Sequence, residues 1–356
     1  MTQESYFSFK RRTESIQILR ACLAFLIFLS HFESISKYGI NLSAPVFIFY
    51  TISGFVAMLS TRDTSKVIGF LTKRFIRLLP LYWAVTIFTF VAAYISPSFM
   101  SYTPDFIQLF KSLFCIPFYR ETMVNNHMTM RPIVGPAHTL EVEILFSILF
   151  YVCMRLSHKH RGKLVAGVCL IFFIAGELLS VFNIDTNIAS IDFYIIHNRS
   201  AWLYFLLGIV IFKLFNNAEA KSVPIPSLRI HFVISIFISA IIFITINACY
   251  DRMNIDIYYS LQAVAGFFLL SFLIILSQYS INMPKFLVFF GNISFSFYLL
   301  HYYIVNLTEN VLHVKSFGWI LVLAVIIAFT VSLLVAYISY LLFEKRLPKL
   351  LSRNTK

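Results

Sequence analysis

Hydrophobic positions along this chain fall in long runs, and polar positions gather in short clusters between them. Runs of this length cross a bilayer as helices. Ten spans account for the pattern, near residues 17–33, 44–60, 80–96, 138–156, 164–182, 198–215, 230–248, 257–277, 286–306 and 318–343. The pattern predicts an all-α, polytopic integral membrane protein: one membrane domain over 1–356, with short tails at 1–15 and 346–356. The longest non-spanning stretch is 97–137. Its first half, Pro104 to Phe118, interleaves apolar residues with Asp105, Gln108 and Lys111, the composition of a helix lying in the interface.

Composition agrees. Of 356 residues, 59% are hydrophobic and only 13% charged, so no soluble domain could cover the apolar surface. The net charge of +13 raises nucleic acid as a partner, but the cations sit in short loops and not in one stripe. With the N-terminus inside, the inner segments hold 21 Lys and Arg and the outer ones 7. That asymmetry places both termini in the cytoplasm. The five cysteines form no C-x-x-C pair, and four lie in apolar runs, so they read as small buried hydrophobes and no metal site is read. The basic N-terminal segment leads into an apolar run with no small-residue cleavage signal, which reads as an uncleaved first span.

The stretch Arg20 to His31 stands out. Eleven residues on a helix bring His31 to within about 20° of the Arg20 face, roughly 16 Å along the axis. Ionisable groups inside a bilayer are costly and usually face a bundle interior or a wet cavity. The competing reading is that Arg20 snorkels to headgroups. Arg74 and Arg77 are i,i+3 neighbours after Lys73, able to close on one anion or to meet lipid headgroups. Glu141 and Glu143 open the fourth span about 200° apart, so they cannot share a face. Glu143, at a depth similar to His31, would hold one imidazole tautomer or else pair with an arginine to join helices. In the ninth span Ser294, Tyr298 and His301 make a polar stripe, suited to helix–helix bonding or to a reaction. Ser53–Gly54 is a small pair permitting close helix approach, with Ser53 a candidate donor to a ligand.

Together these stretches resemble the acyltransferase type 3 family of bacterial integral-membrane acyltransferases. The motifs are Arg20-x10-His31, Phe49-Tyr-Thr-Ile-Ser-Gly-Phe55, Lys73-Arg-Phe-Ile-Arg-Leu-Leu-Pro-Leu-Tyr-Trp83 and His138-Thr-Leu-Glu-Val-Glu143. Phe205-Leu-Leu-Gly208, the Gly291 to His301 stretch and Phe343-Glu-Lys-Arg346 follow in family order. Phe47 stands where many relatives carry an acid, His138 where they carry Trp, and Leu347 where a Pro often follows.

The resemblance implies a ten-helix protein of the bacterial plasma membrane that takes an acyl group, commonly acetyl, from cytoplasmic acyl-CoA. It implies essential roles for Arg20 and His31, and donor binding by Arg74 and Arg77. On this reading Lys73 and Ser53 join the donor site, and a glycan or lipid-linked saccharide supplies the acceptor hydroxyl. His31 removes the hydroxyl proton with Glu143 orienting or charging the ring, and His301 and Tyr298 are additional candidates. An acyl-imidazole on His31 is the alternative chemistry. The competing functions are a lipid-linked glycan flippase or other transporter, and a membrane sensor. The oligomeric state stays open.

Overall fold

The computed structural model describes residues 3–37, 45–62, 67–95, 104–121, 128–184, 186–220, 284–314 and 318–353. The spans expected at 230–248 and 257–277 lie outside the described residues. The rest is helical apart from a short antiparallel ribbon, Tyr119–Glu121 against Met128–Met130. The helices are α1 (Gln3–Ser30), α2 (Glu33–Ser36), α3 (Pro45–Ser60), α4 (Val67–Ile95), α5 (Phe106–Leu113) and α6 (His138–Leu156). Then come α7 (Arg161–Val181), α8 (Ala189–Ile191) running into a π-turn at Asp192–His197, and α9 (Arg199–Ala220). The last are α10 (Lys285–Val311), α11 (Trp319–Ser339) and α12 (Leu347–Arg353). Among the described residues five helices are long and apolar enough to cross a membrane, and a sixth span results if the bent pair Ala189–His197 and Arg199–Leu214 is one. The chain divides into two compact units, Met1–Leu59 with Tyr204–Tyr337, and Ser60–Leu203 with Ile338–Lys356.

In the first unit α1 and α10 run parallel. Gln17 lies opposite Gly291, Phe28 opposite Phe297 with ring centroids 5.7 Å apart, and His31 opposite His301. Glycine allows this approach, because a Cβ at Gly291 would overlap the Gln17 carbonyl. Helices α3 and α9 meet in the same way: Gly54 faces the Phe205 carbonyl and Gly208 the Thr51 carbonyl. Small residues let backbones touch where lipid gives helices no hydrophobic reason to associate. Phe329 of α11 then seals the α1–α10 seam against Phe25, Phe28, Phe290 and Phe297. Phe47 stacks on Tyr204, with ring centroids 5.3 Å apart.

In the second unit the helix containing the third span begins at Val67. Lys73, Arg74 and Arg77, which precede the span expected at 80–96, are side chains of this same helix, with Arg74 and Arg77 as i,i+3 neighbours, and Pro80 is carried inside it. The run Val67–Ile68–Gly69–Phe70–Leu71 forms the opening of that helix ahead of the cations. Helix α6 runs antiparallel to α4, with Phe70 against Phe150 and Arg74 against Glu143. Helix α5 opens with a capping box, Asp105 and Gln108 bonding each other's backbone N–H. It doubles back along α4. Phe106 meets Phe90, while the Tyr82 hydroxyl donates to Ser112 O at 2.7 Å and Trp83 Nε1 to Leu113 O at 2.8 Å. Trp83 is twelve residues, about 18 Å, short of the end of α4. The cause is mutual: two donors inside an apolar helix need acceptors, and the last carbonyls of α5 have no helical partners.

Replacing Gly291 with Ala is expected to lower unfolding stability by about 1–3 kcal/mol, because the Gln17 backbone must move. Gly167, with no atom within 4 Å of its would-be Cβ, should accept Ala without loss. Thermal unfolding of the two variants in detergent checks the contrast.

Candidate active site

The α1 helix ends where its side chains can use the ending. Ser30 is the last helical residue, and the His31 backbone N–H turns to Phe28 O at 3.3 Å. The Ile27 carbonyl is then taken by two side chains, Ser30 Oγ at 2.6 Å and His31 Nδ1 at 2.7 Å. A carbonyl only accepts, so His31 Nδ1 carries the proton and Nε2 is the basic nitrogen. The same reasoning applies to His301, which is fully buried. Its Nδ1 lies 2.9 Å from Phe297 O and must donate, which leaves Nε2 as an acceptor. That acceptor is 3.3 Å from His31 Nδ1. His31 N–H is thus shared between Ile27 O and His301 Nε2, and both acceptors favour an imidazolium forming at His31.

The rest of α10 frames this pair. The Tyr302 ring stands edge-on to His31 at 5.3 Å, and Tyr298 lies 6.0 Å from His301 and 6.5 Å from Phe49. Two turns beyond His301, Glu309 accepts from the backbone N–H groups of Glu33 at 3.2 Å and Ser34 at 3.4 Å. That carboxylate pins the chain immediately after His31. Arg20 is half-buried within the continuous α1, one turn from Gln17, and Ser53 is buried beside Gly54 on α3.

The second unit gathers the other predicted residues. Arg74 donates to Glu143 Oε1 at 3.0 Å and to Ser147 Oγ at 3.3 Å, and its guanidinium stands 5.3 Å from the centre of the Phe70 ring. Glu143 is five residues, about 8 Å, from the start of α6 at His138, so this ion pair sits in the second turn of α6, with side-chain exposures of 14% for Arg74 and 28% for Glu143. Arg77 pairs with Glu344 at 3.4 Å, with the Glu344 side chain almost fully buried and Arg77 partly open. Each arginine therefore has its own carboxylate. Lys73 is exposed. Glu141, on the other side of α6, is 1% exposed, and neither carboxylate oxygen has a hydrogen-bond partner among the described residues.

The structure thus places Arg20, His31, Ser53, Tyr298 and His301 in one unit and Lys73, Arg74, Arg77 and Glu143 in the other. Within the first unit His31 Nδ1 is engaged by Ile27 O and by His301 Nε2. Sequence reasoning missed Glu309, whose backbone partners are 276 and 275 residues away. It also passed over Glu344, although the Phe343-Glu-Lys-Arg346 match contains it.

Comparison with known proteins adds two findings. The Acyltransferase domain family matches residues 13–341. The Exopolysaccharide production protein ExoZ of Rhizobium meliloti (strain 1021) is 27% identical over 139 residues, 39% of this chain and 42% of that protein. The chain thus matches less than half the length of this curated relative. No solved structure matches.

Removing Glu143 deprives a largely buried Arg74 of this carboxylate. Glu143→Ala should cost about 3–5 kcal/mol, and Arg74→Leu/Glu143→Leu together should cost less than that single change. A double-mutant cycle on thermal unfolding in detergent measures the coupling.

Proposed function

The chain belongs to the Acyltransferase domain family, and from this premise we propose that it is a membrane O-acyltransferase moving an acetyl group from cytoplasmic acyl-CoA to a hydroxyl of a glycan. A polysaccharide or lipid-linked saccharide is the acceptor class, in keeping with the name of the matching relative. The observation that carries the reading is the His31 ring, fixed with Nδ1 protonated and Nε2 basic at the end of a membrane-spanning helix.

His31 is the general base. The acceptor oxygen attacks the thioester carbonyl carbon as its proton passes to Nε2. The tetrahedral intermediate then expels the coenzyme A sulfur, which leaves as the thiol after taking that proton. Atoms and charge balance without a metal or redox partner. His301 is a positioning residue: its Nε2 accepts from Nδ1–H of His31 and stabilises the imidazolium. Glu309 fixes the backbone that carries the ring, and Arg20 supplies positive charge on the same helix. Arg74, Arg77 and Lys73 are assigned to the phosphates of the donor, with Arg suited to bidentate contact. Glu143 and Glu344 hold the two guanidinium groups in place until phosphate competes for them. Ser53 is assigned to the donor as a hydroxyl contact. Both termini lie in the cytoplasm, in the plasma membrane of a bacterium.

Purified His31→Ala should bind acetyl-CoA with affinity within about a factor of two of the parent while losing transfer; retention of turnover ends the assignment. His301→Leu should lower kcat at least about tenfold with little change in donor KM, and shift the acidic limb of the pH profile to lower pH. The sign follows because the imidazolium loses an acceptor, so His31 becomes less basic. His301→Gln, whose side-chain oxygen can replace Nε2, should restore most of the rate. Arg74→Ala/Arg77→Ala should weaken acetyl-CoA binding by an order of magnitude or more in equilibrium binding; unchanged affinity returns both residues to a lipid-headgroup or structural role.

A further inference from the structure

A buried hydroxyl on a helix can return its proton to the carbonyl one turn back. Thr86, Thr89, Thr308 and Ser147 all do so, at 2.7–2.8 Å. Ser294 does not. It is 1% exposed on α10, and its Oγ has no hydrogen-bond partner among the described residues. Thr51 on α3 and Ser332 and Ser339 on α11 share this condition. A second orphan lies close to Ser294 on the facing helix: Gln17 Oε1 is buried and equally without a partner among the described residues. Gln17 stands opposite Gly291, and Ser294 is one turn beyond Gly291 towards His301. Unsatisfied buried polar atoms cost stability, and a pair of them on one helix seam marks a place where a ligand supplies the missing partners.

We infer that Ser294 and Gln17 form a subsite for the polar groups of a pantetheine arm. The inference rests on the acyl-CoA reading and deepens it. Ser294, Tyr298 and His301 lie on one stripe of α10, and Ser294 is seven residues, about 10 Å, from His301. In an extended pantetheine arm the inner amide nitrogen is seven bonds, roughly 9 Å, from the sulfur. With the thioester at His31, that amide falls level with Ser294. A hydroxyl can donate to the amide carbonyl or accept from its N–H. One turn further in, the Gln17 carbonyl oxygen takes the hydroxyl that precedes the amide in the arm. Coenzyme A and a carrier protein both present this arm, and the chemistry recognised is shared.

The test compares two donors on Ser294→Ala. Acetyl-CoA contains the inner amide; S-acetyl-N-acetylcysteamine keeps only the outer one. The variant should lose about five- to tenfold in kcat/KM for acetyl-CoA, the worth of one net hydrogen bond, and nothing for the short thioester. Without donor, its unfolding midpoint should equal or exceed the parent's, since an unsatisfied hydroxyl is removed. Competitive inhibition by pantetheine, weaker by the same factor in the variant, reads the subsite without turnover of the short donor. An equal loss with both donors, or a lowered midpoint with no donor-selective loss, overturns the subsite while leaving the acyltransferase reading intact. If the parent neither binds nor uses acetyl-CoA but uses an acetylated carrier protein, with the same Ser294→Ala loss, the subsite stands and the carrier is the source. If it uses neither, both readings fall.

Discussion

A single carbonyl oxygen, that of Ile27, fixes the chemistry available to the first unit. It is released because α1 ends at Ser30, and a released carbonyl in an apolar setting must find donors. Ser30 and His31 supply them from their side chains. The geometry of a helix end therefore chooses the His31 tautomer, and the opposite helix reinforces the choice through His301. A general base needs this arrangement: one nitrogen held, the other directed to the reaction.

That contact depends on how closely α1 and α10 approach. Gly291 lets the backbones meet at Gln17, the Phe28–Phe297 contact sets the seam above it, and Glu309 closes it beyond His31. The seam is thus held at both ends by backbone contacts, with aromatic packing between. Such a seam can hold polar orphans at Gln17 and Ser294 because the surrounding packing, not those groups, keeps the helices together.

The second unit handles charge differently. Its cations are met one by one by carboxylates, Arg74 by Glu143 and Arg77 by Glu344. Pairing removes much of the cost of placing guanidinium groups beside apolar helices. It also sets the terms for an anionic ligand, which must share or displace those carboxylates. Helix α5 obeys the same need for partners, its terminal carbonyls accepting from Tyr82 and Trp83.

The sequence alone determined that the chain is helical and membrane-borne, because length and hydropathy of a span are local properties. It also identified Arg20, His31, Arg74, Arg77, Glu143, Ser294, Tyr298 and His301 as the polar residues to explain, since polar groups in apolar runs are conspicuous. The opposition of Glu141 and Glu143 followed from helical phase alone. What only the tertiary structure decided was partnership. That His31 meets His301, that Glu143 meets Arg74, and that Glu309 caps the chain after His31 all join residues far apart in sequence. The start of α4 at Val67 and the return of α5 along it were likewise beyond reach, because hydropathy marks apolar length and not where a helix begins or which carbonyls its donors find. Periodicity gives the face of a helix; only packing tells what that face meets.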